Sequence, residues 1–312
     1  MFLFRILAVL KFDNETAQPL PLSPLSLSPS REIMHTHTLS TFVNGSSQKA
    51  TYLDIGSGQP LLLLHGFFGE KTCWLPLIEL LQSQFRCISL DMLGFGESSK
   101  PEIQYNVALE VAFVRQVVEQ LNIDPCCIIG HSFGGWVASA YALKYTNSVS
   151  SLVLAAPAGI RDDSFCGQYD ALRPLLWQTP IVDFALQLAK PFANISGKSS
   201  ELQKILGWRR ELMSQPVARS FLMSRMRPED AIDTVEKDIH KLQIPTLVIT
   251  GDRDETIPLW HSQTYANQIP KAELAIIPNA THGLPQTQAE MMANLICKFF
   301  GQFTQTSSNH RL

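Results

Sequence analysis

Cys126-Cys127-Ile128-Ile129-Gly130-His131-Ser132-Phe133-Gly134-Gly135 is the stretch from which the fold is read. Its first four residues form an apolar run, as a strand buried on both faces of a parallel sheet requires. Its last residues open Phe133–Tyr145, a segment with helical character. Between them lies Gly-x-Ser-x-Gly. A serine on a sharp strand-to-helix turn has strained backbone angles, and side chains two positions before or after it would clash. Glycine at both sites removes the clash and leaves the hydroxyl at the edge of the sheet. The helix that begins there adds backbone N–H groups and the positive end of its dipole. Glycine and serine are common, so the spacing alone says little; the strand–turn–helix setting gives it weight.

Outward from this turn the same alternation repeats. Pro60–Leu64, Arg86–Leu90, Leu152–Ala155, Thr246–Thr250 and Leu274–Ile277 are short buried-strand patterns. Thr36–Val43 and Gln48–Ile55 are rich in β-branched and aromatic residues and flank Asn44-Gly45, a hairpin signal. Tyr105–Leu121 carries Val107, Val111, Val114 and Val118 at helical spacing, and Met291–Phe300 also reads as helix. Strand and helix in alternation predict an α/β fold, with a mostly parallel sheet of eight strands and helices on both faces. Between Gly159 and Lys241 the alternation stops. That stretch holds Trp177, Trp208 and many leucines but no strand pattern, and it is too long for a plain connection. It reads as a helical insertion.

The composition agrees. The chain has 312 residues, 45% of them apolar and only 17% charged, so it can bury a large core. A net charge of −3 excludes a general electrostatic grip on nucleic acid. No apolar run reaches the length of a membrane-spanning helix, so stable membrane insertion is not expected. The six cysteines form no CxxC pair and no zinc spacing, which points to reduced thiols in a reducing, cytoplasmic setting. His35 and His37 alternate along a strand without a carboxylate or cysteine partner nearby, so no metal site is read there. Residues 1–33 combine an apolar start, Met1–Leu10, interrupted by Arg5, with a Pro- and Ser-rich stretch. They read as a tail outside the fold, with targeting left open, and 304–312 as a second tail. The organisation expected is a core of 34–158 and 242–303 with an insertion of 159–241.

Serine needs a base to accept its proton. His282, in Asn279-Ala280-Thr281-His282-Gly283, is the only histidine that follows the last strand. Asp252 and Asp254 both follow the strand Thr246–Thr250, and either carboxylate gives the chain order Ser, Asp, His. The run His65-Gly66-Phe67-Phe68-Gly69 follows the strand Pro60–Leu64, and its glycine lets the loop come close. The N–H groups of Phe67 and Phe133 are the candidate oxyanion donors, each worth about 3–4 kcal/mol at a transition state. His65 and His131 are read as local, structural histidines. Phe68 and Trp74 are candidate substrate contacts because they border the oxyanion loop, although packing is the simpler reading for Trp74.

With these residues in place the chain resembles the α/β-hydrolase superfamily over about residues 36–301. The matching features are His65-Gly66, the run Asp91–Ser98 (D-x-x-G-x-G-x-S), the elbow Gly130–Gly135, the loop Gly251–Asp254 and His282. The resemblance implies that Asp254 rather than Asp252 is the acid, and that residues 159–241 are a helical cap shaping the pocket. It also implies that Ser132, Asp254 and His282 act as a triad without metal or organic cofactor. Members with an aspartate nucleophile are disfavoured by Ser132. The expected activity is hydrolysis of a hydrophobic carboxylic ester through an acyl-enzyme, on a small-molecule substrate. Perhydrolases, carbon–carbon bond hydrolases and lyases use the same arrangement, as does the occasional non-catalytic binder.

Overall fold

The computed structural model describes residues 35–162, 179–224 and 233–308. The N-terminal tail, Cys166 and Trp177 lie outside the described residues. The elements in chain order are β1 (Thr36–Val43), β2 (Ser46–Ile55), β3 (Gln59–Leu64), α1 (Leu75–Leu81), β4 (Phe85–Asp91), α2 (Val107–Gln120), β5 (Cys126–His131), α3 (Phe133–Lys144) and β6 (Val149–Ala155). They continue with α4 (Pro180–Ile195), α5 (Ser199–Ser214), α6 (Pro216–Ser224), β7 (Thr246–Gly251), α7 (Leu259–Gln268), β8 (Ala272–Ile277), α8 (Leu284–Thr287) and α9 (Ala289–Ser308).

The strands form one eight-stranded sheet in the order β1-β2-β4-β3-β5-β6-β7-β8. The β1–β2 and β2–β4 pairs are antiparallel, and every other pair is parallel. The α/β expectation is therefore met. Asn44 and Gly45 both have positive φ, 49° and 76°, as the two central residues of a tight hairpin must. Leu61 to Leu64 have no solvent exposure at all, because strands at the centre of a covered sheet are buried on both faces. Leu61, Leu63, Cys127 and Ile129 join Leu77, Ile78 and Leu81 of α1 and Met292, Ile296 and Phe299 of α9 in one core cluster. Each such side chain contributes about 1.5–3 kcal/mol by leaving water. The five described cysteines are free; Cys87, Cys126 and Cys127 are buried, and Cys73 and Cys297 are half-buried.

The chain divides into two compact units. One comprises the sheet with its helices and includes Asn106–Arg161 and everything from Asp233 onward. The other contains Lys100–Tyr105 and Asp162–Ile232. Its described part is helical, with Leu202, Ile205, Val217 and Phe221 buried. Arg209 holds Asp183 through two hydrogen bonds of 2.7 and 2.9 Å, which fixes α5 to α4. The residues just after Asp233 belong to the sheet: Val235 N–H donates to the Gly159 carbonyl at 2.9 Å.

Candidate active site

Four strands end on the same edge of the sheet, and a candidate residue follows each. In open α/β sheets this carboxyl edge is where ligands bind. Strand β5 runs directly into Ser132, which caps α3 with φ 53° and ψ −115°. A non-glycine residue there is strained, by about 1–3 kcal/mol. Its backbone is pinned from both sides. Ser132 N–H donates to Ala155 O at 2.9 Å, and its carbonyl accepts from Gly135, Trp136 and Ala158 at 2.9, 3.2 and 3.0 Å.

The flanking glycines are required by contact. A Cβ on Gly130 would lie 2.6 Å from the Gly134 carbonyl carbon and 2.7 Å from Gly135 Cα. One on Gly134 would lie 2.6 Å from His65 O, so the elbow helix starts against the His65–Gly69 loop. One on Gly66 would meet Ser132 Cβ at 3.2 Å and His131 Nδ1 at 2.9 Å. The loop carrying Phe67 and the elbow carrying Phe133 thus approach backbone to backbone. The Phe67 and Phe133 rings meet edge to face, with centroids 5.4 Å apart. Phe133 is the first residue of α3, and the first N–H groups of a helix have no acceptor inside it.

The His65–Lys71 loop is held at both ends by Asp91 and Met92, at the end of β4. His65 donates from Nδ1 to Gly66 O at 2.7 Å and accepts from Met92 N–H at Nε2, 3.1 Å. Burial pushes its pKa down, which agrees with this neutral tautomer. Lys71 is buried and binds Asp91 twice, through its N–H at 2.5 Å and its ammonium at 3.0 Å. Asp91 also accepts from Glu97 N–H at 2.8 Å. The Asp91–Ser98 run is a turn, closed by this bond and by Ser98 Oγ–H donating to Asp91 O at 2.6 Å. Lys71 gave no sequence signal, because its partner is twenty residues away.

Strands β7 and β8 supply the rest. His282 Nδ1 lies 2.8 Å from Asp254 Oδ2. The other oxygen, Asp254 Oδ1, accepts from Thr256 and Ile257 N–H at 2.9 and 2.8 Å. The Asp254 side chain has no solvent exposure, whereas Asp252 is exposed. The structure therefore pairs His282 with Asp254 and not with Asp252. With its Nδ1–H donated to the carboxylate, His282 presents Nε2 as the free lone-pair nitrogen.

His131 ties the two halves together. Its Nε2–H donates to the His282 carbonyl at 2.8 Å, across 151 residues of chain, and the two rings lie 4.8 Å apart. Burial, reinforced by the neighbouring His282, pushes its pKa down to about 3, so it stays neutral. The sequence reading treated it as a local histidine and missed this tie. Of the candidate substrate contacts, Phe68 is 42% exposed and has φ 60°. Trp74 is corrected: it has no exposed surface and packs in the core, its ring edge-on to His131. The 3-10 turn Lys71–Trp74 turns its side chain inward. Among the described residues no group of three or more His, Cys, Asp or Glu is placed to hold a metal.

The family described as the alpha/beta hydrolase fold matches residues 59–285. The chain is an α/β-hydrolase. This α/β-hydrolase is 31% identical over 260 residues to 2-hydroxymuconate semialdehyde hydrolase of Pseudomonas sp. (strain CF600), covering 80% of this chain and 89% of that one. It is 23% identical over 273 residues to a monoacylglycerol lipase of Homo sapiens, covering 82% and 80%. Among solved structures it is similar to a meta-cleavage product hydrolase from Pseudomonas fluorescens IP01, with a TM-score of 0.63 and 28% identity, covering 85% and 97%. The chain is thus an enzyme of hydrolase type. Among the described residues no helix is long and apolar enough to cross a membrane.

Proposed function

We propose that this α/β-hydrolase cleaves a hydrophobic carboxylic ester or related acyl compound through a Ser132–His282–Asp254 triad. The observation that carries the reading is the pairing of His282 with a fully buried Asp254, whose second oxygen is held by two backbone N–H groups. Such a carboxylate has one remaining task, to fix the imidazole tautomer and stabilise its charged form.

Ser132 Oγ attacks the carbonyl carbon while His282 Nε2 takes its proton. The N–H groups of Phe67 and Phe133 stabilise the oxyanion. The tetrahedral adduct collapses, His282 returns the proton to the leaving alkoxide, and the acyl group stays on Ser132. Water, with His282 as base, then releases the acid. No step needs a metal or an organic cofactor. The aromatic floor of Phe67, Phe68 and Phe133 supports an apolar acyl or aryl substrate. The insertion is assigned the role of cap, as in the family it resembles.

A second reading has its own support. The similarity to 2-hydroxymuconate semialdehyde hydrolase and to a meta-cleavage product hydrolase favours hydrolysis of a carbon–carbon bond next to a ketone, with the same three residues. One experiment separates the two. Wild type and Ser132→Ala are assayed in parallel on p-nitrophenyl esters from acetyl to dodecanoyl, and on a 2-hydroxy-6-oxo-dienoate. Ester turnover by wild type, absent in the variant, is the expected result, and the best chain length sizes the pocket. Cleavage of the dienoate alone moves the assignment to carbon–carbon hydrolysis. Full activity in Ser132→Ala refutes the nucleophile.

A further inference from the structure

The Ser132 carbonyl accepts three N–H groups, and two of them, from Gly135 and Trp136, belong to its own helix. The third, from Ala158 at 3.0 Å, comes from the segment that leaves β6. That strand ends at Ala155, and the chain then takes positive φ at Ala156 (43°) and at Gly159 (99°). A backbone of this kind keeps its place only where its surroundings over-determine it. Tyr265, on α7, supplies part of that constraint. Its hydroxyl donates to Ala158 O at 2.7 Å, across 107 residues of chain. Ala158 is therefore held on both sides, its N–H on the Ser132 carbonyl and its own carbonyl on the Tyr265 hydroxyl. The fit is close: a Cβ on Gly159 would lie 2.9 Å from the Tyr265 oxygen and 2.6 Å from Trp136 Cγ. Tyr265 has no solvent exposure, and burial pushes its pKa up, so the phenol keeps the proton it donates.

We infer that Tyr265 is a positioning residue for Ser132, acting through Ala158. The inference rests on the reading of Ser132 as the nucleophile and goes beyond it. A phenylalanine ring would fill the same core volume. A hydroxyl taken out of water has to be paired, and this one is paired with the residue whose N–H reaches the Ser132 carbonyl from outside α3. Two restraints on the Ser132 backbone come from the exit of β6: Ala155 O, which accepts the Ser132 N–H, and Ala158 N–H. Ser132 needs both because it sits at φ 53°, from which a non-glycine residue relaxes toward negative φ. Without the Tyr265 bond the Ala158 carbonyl is released, its N–H shifts with it, and one of the two restraints slackens. Ser132 Oγ then spends less time in the attacking position. The loss falls on the rate of attack and leaves substrate binding alone.

Tyr265→Phe removes one oxygen and keeps the ring. The matched control is Tyr105→Phe: Tyr105 is equally buried, and its hydroxyl also donates to a backbone carbonyl, Pro101 O at 2.8 Å. Wild type, both variants and Ser132→Ala are compared by thermal melt, by kcat and KM on the best p-nitrophenyl ester, and by the second-order rate of inactivation by a fluorophosphonate. In that inactivation Ser132 Oγ bonds phosphorus and fluoride leaves, so it reads the nucleophile whichever bond the natural substrate offers. Both tyrosine variants should lose a similar amount of melting temperature. Tyr265→Phe alone should lose about tenfold in kcat and in inactivation rate at constant KM, the upper worth of one net hydrogen bond. Wild-type rates in Tyr265→Phe overturn the inference, as does a loss confined to KM or an equal loss of rate in Tyr105→Phe. Ser132→Ala separates this result from the reading beneath it. If that variant is inert to the fluorophosphonate and Tyr265→Phe reacts like wild type, only the positioning role falls; an active Ser132→Ala removes the nucleophile itself.

Discussion

Replacing Asp254 by asparagine keeps the shape of the side chain and removes its charge, so the structure fixes what must follow. Asp254 Oδ1 accepts two backbone N–H bonds and Oδ2 accepts one from His282. Asparagine has one acceptor and one donor end. If the amide group turned toward Thr256 and Ile257, two N–H groups would lose their acceptor, at about 1–3 kcal/mol each. The amide oxygen therefore stays with those N–H groups, and the NH2 faces His282 Nδ1. The imidazole must then accept at Nδ1 and carry its proton on Nε2, the atom that has to take the Ser132 proton. This tautomer error lowers kcat by about 10⁴ in serine-protease triads. At 1.36 kcal/mol per factor of ten, that is about 5 kcal/mol of transition-state stabilisation. The assay is steady-state hydrolysis of the best p-nitrophenyl ester at pH 7.5, beside a thermal melt. Asp254→Asn should lose about 10³–10⁴ in kcat with little change in melting temperature. Asp252→Asn, altered at an exposed side chain, should stay within about twofold. An Asp254→Asn enzyme keeping more than a tenth of wild-type kcat, or an equal loss in Asp252→Asn, refutes the reasoning.

Ser132→Gly should be inactive yet melt above Ser132→Ala, because glycine accepts φ 53° without the strain of about 1–3 kcal/mol; a lower melting temperature contradicts the strain. His131→Leu removes the hydrogen bond to the His282 carbonyl and should cut kcat by about tenfold at constant KM, the worth of one net hydrogen bond. His131→Gln, which can place an amide donor at nearly the same point, should recover most of it, and a loss equal to that of leucine argues against the tie. Glu110 is fully buried: its Oε1 has no hydrogen-bond partner, its Oε2 accepts from Leu93 N–H, and burial pushes its pKa well above the ordinary carboxyl range. The folded state therefore holds this proton longer than the unfolded one, so the stability it contributes is full below about pH 4.3 and is lost as pH rises through the raised value. Melts from pH 5 to 9 should show Glu110→Gln gaining steadily on wild type, and parallel curves would contradict a protonated Glu110.

The sheet and the order of the chemistry were legible because both are written locally. A strand that is buried on both faces reads as an apolar run, and Gly130 and Gly134 mark the turn that needs them. Chain order alone placed His282 after the last strand. The choice of Asp254 over Asp252 rested on a resemblance, and only the three-dimensional loop supplies the reason, a buried carboxylate facing the imidazole. What stayed hidden was of two kinds. Helix α7 buries His261, Ser262 and Tyr265, and so mixed a face leaves little periodicity to read. The ties of Lys71 to Asp91 and of His131 to His282 join residues far apart in the chain, and a single sequence does not encode such distances. Trp74 failed for the opposite reason. Nearness in sequence to the oxyanion loop suggested a shared surface, but one tight turn sends the side chain into the core.

The order in which the strands enter the sheet also has a consequence for synthesis. Strands β3 and β5 bring the His65–Gly69 loop and the Ser132 turn together early, but β7 and β8, which lead to Asp254 and His282, come after the whole insertion. Ser132 is translated 150 residues before His282, and at 5–20 residues per second that gap is roughly 8–30 s. Under the proposed mechanism the nascent chain then holds a nucleophile with no base to activate it. Chemistry begins only when the carboxyl-terminal strands are in place. Hydrolytic activity in this protein is thus a report that the chain has been made through to its last strand and folded around it.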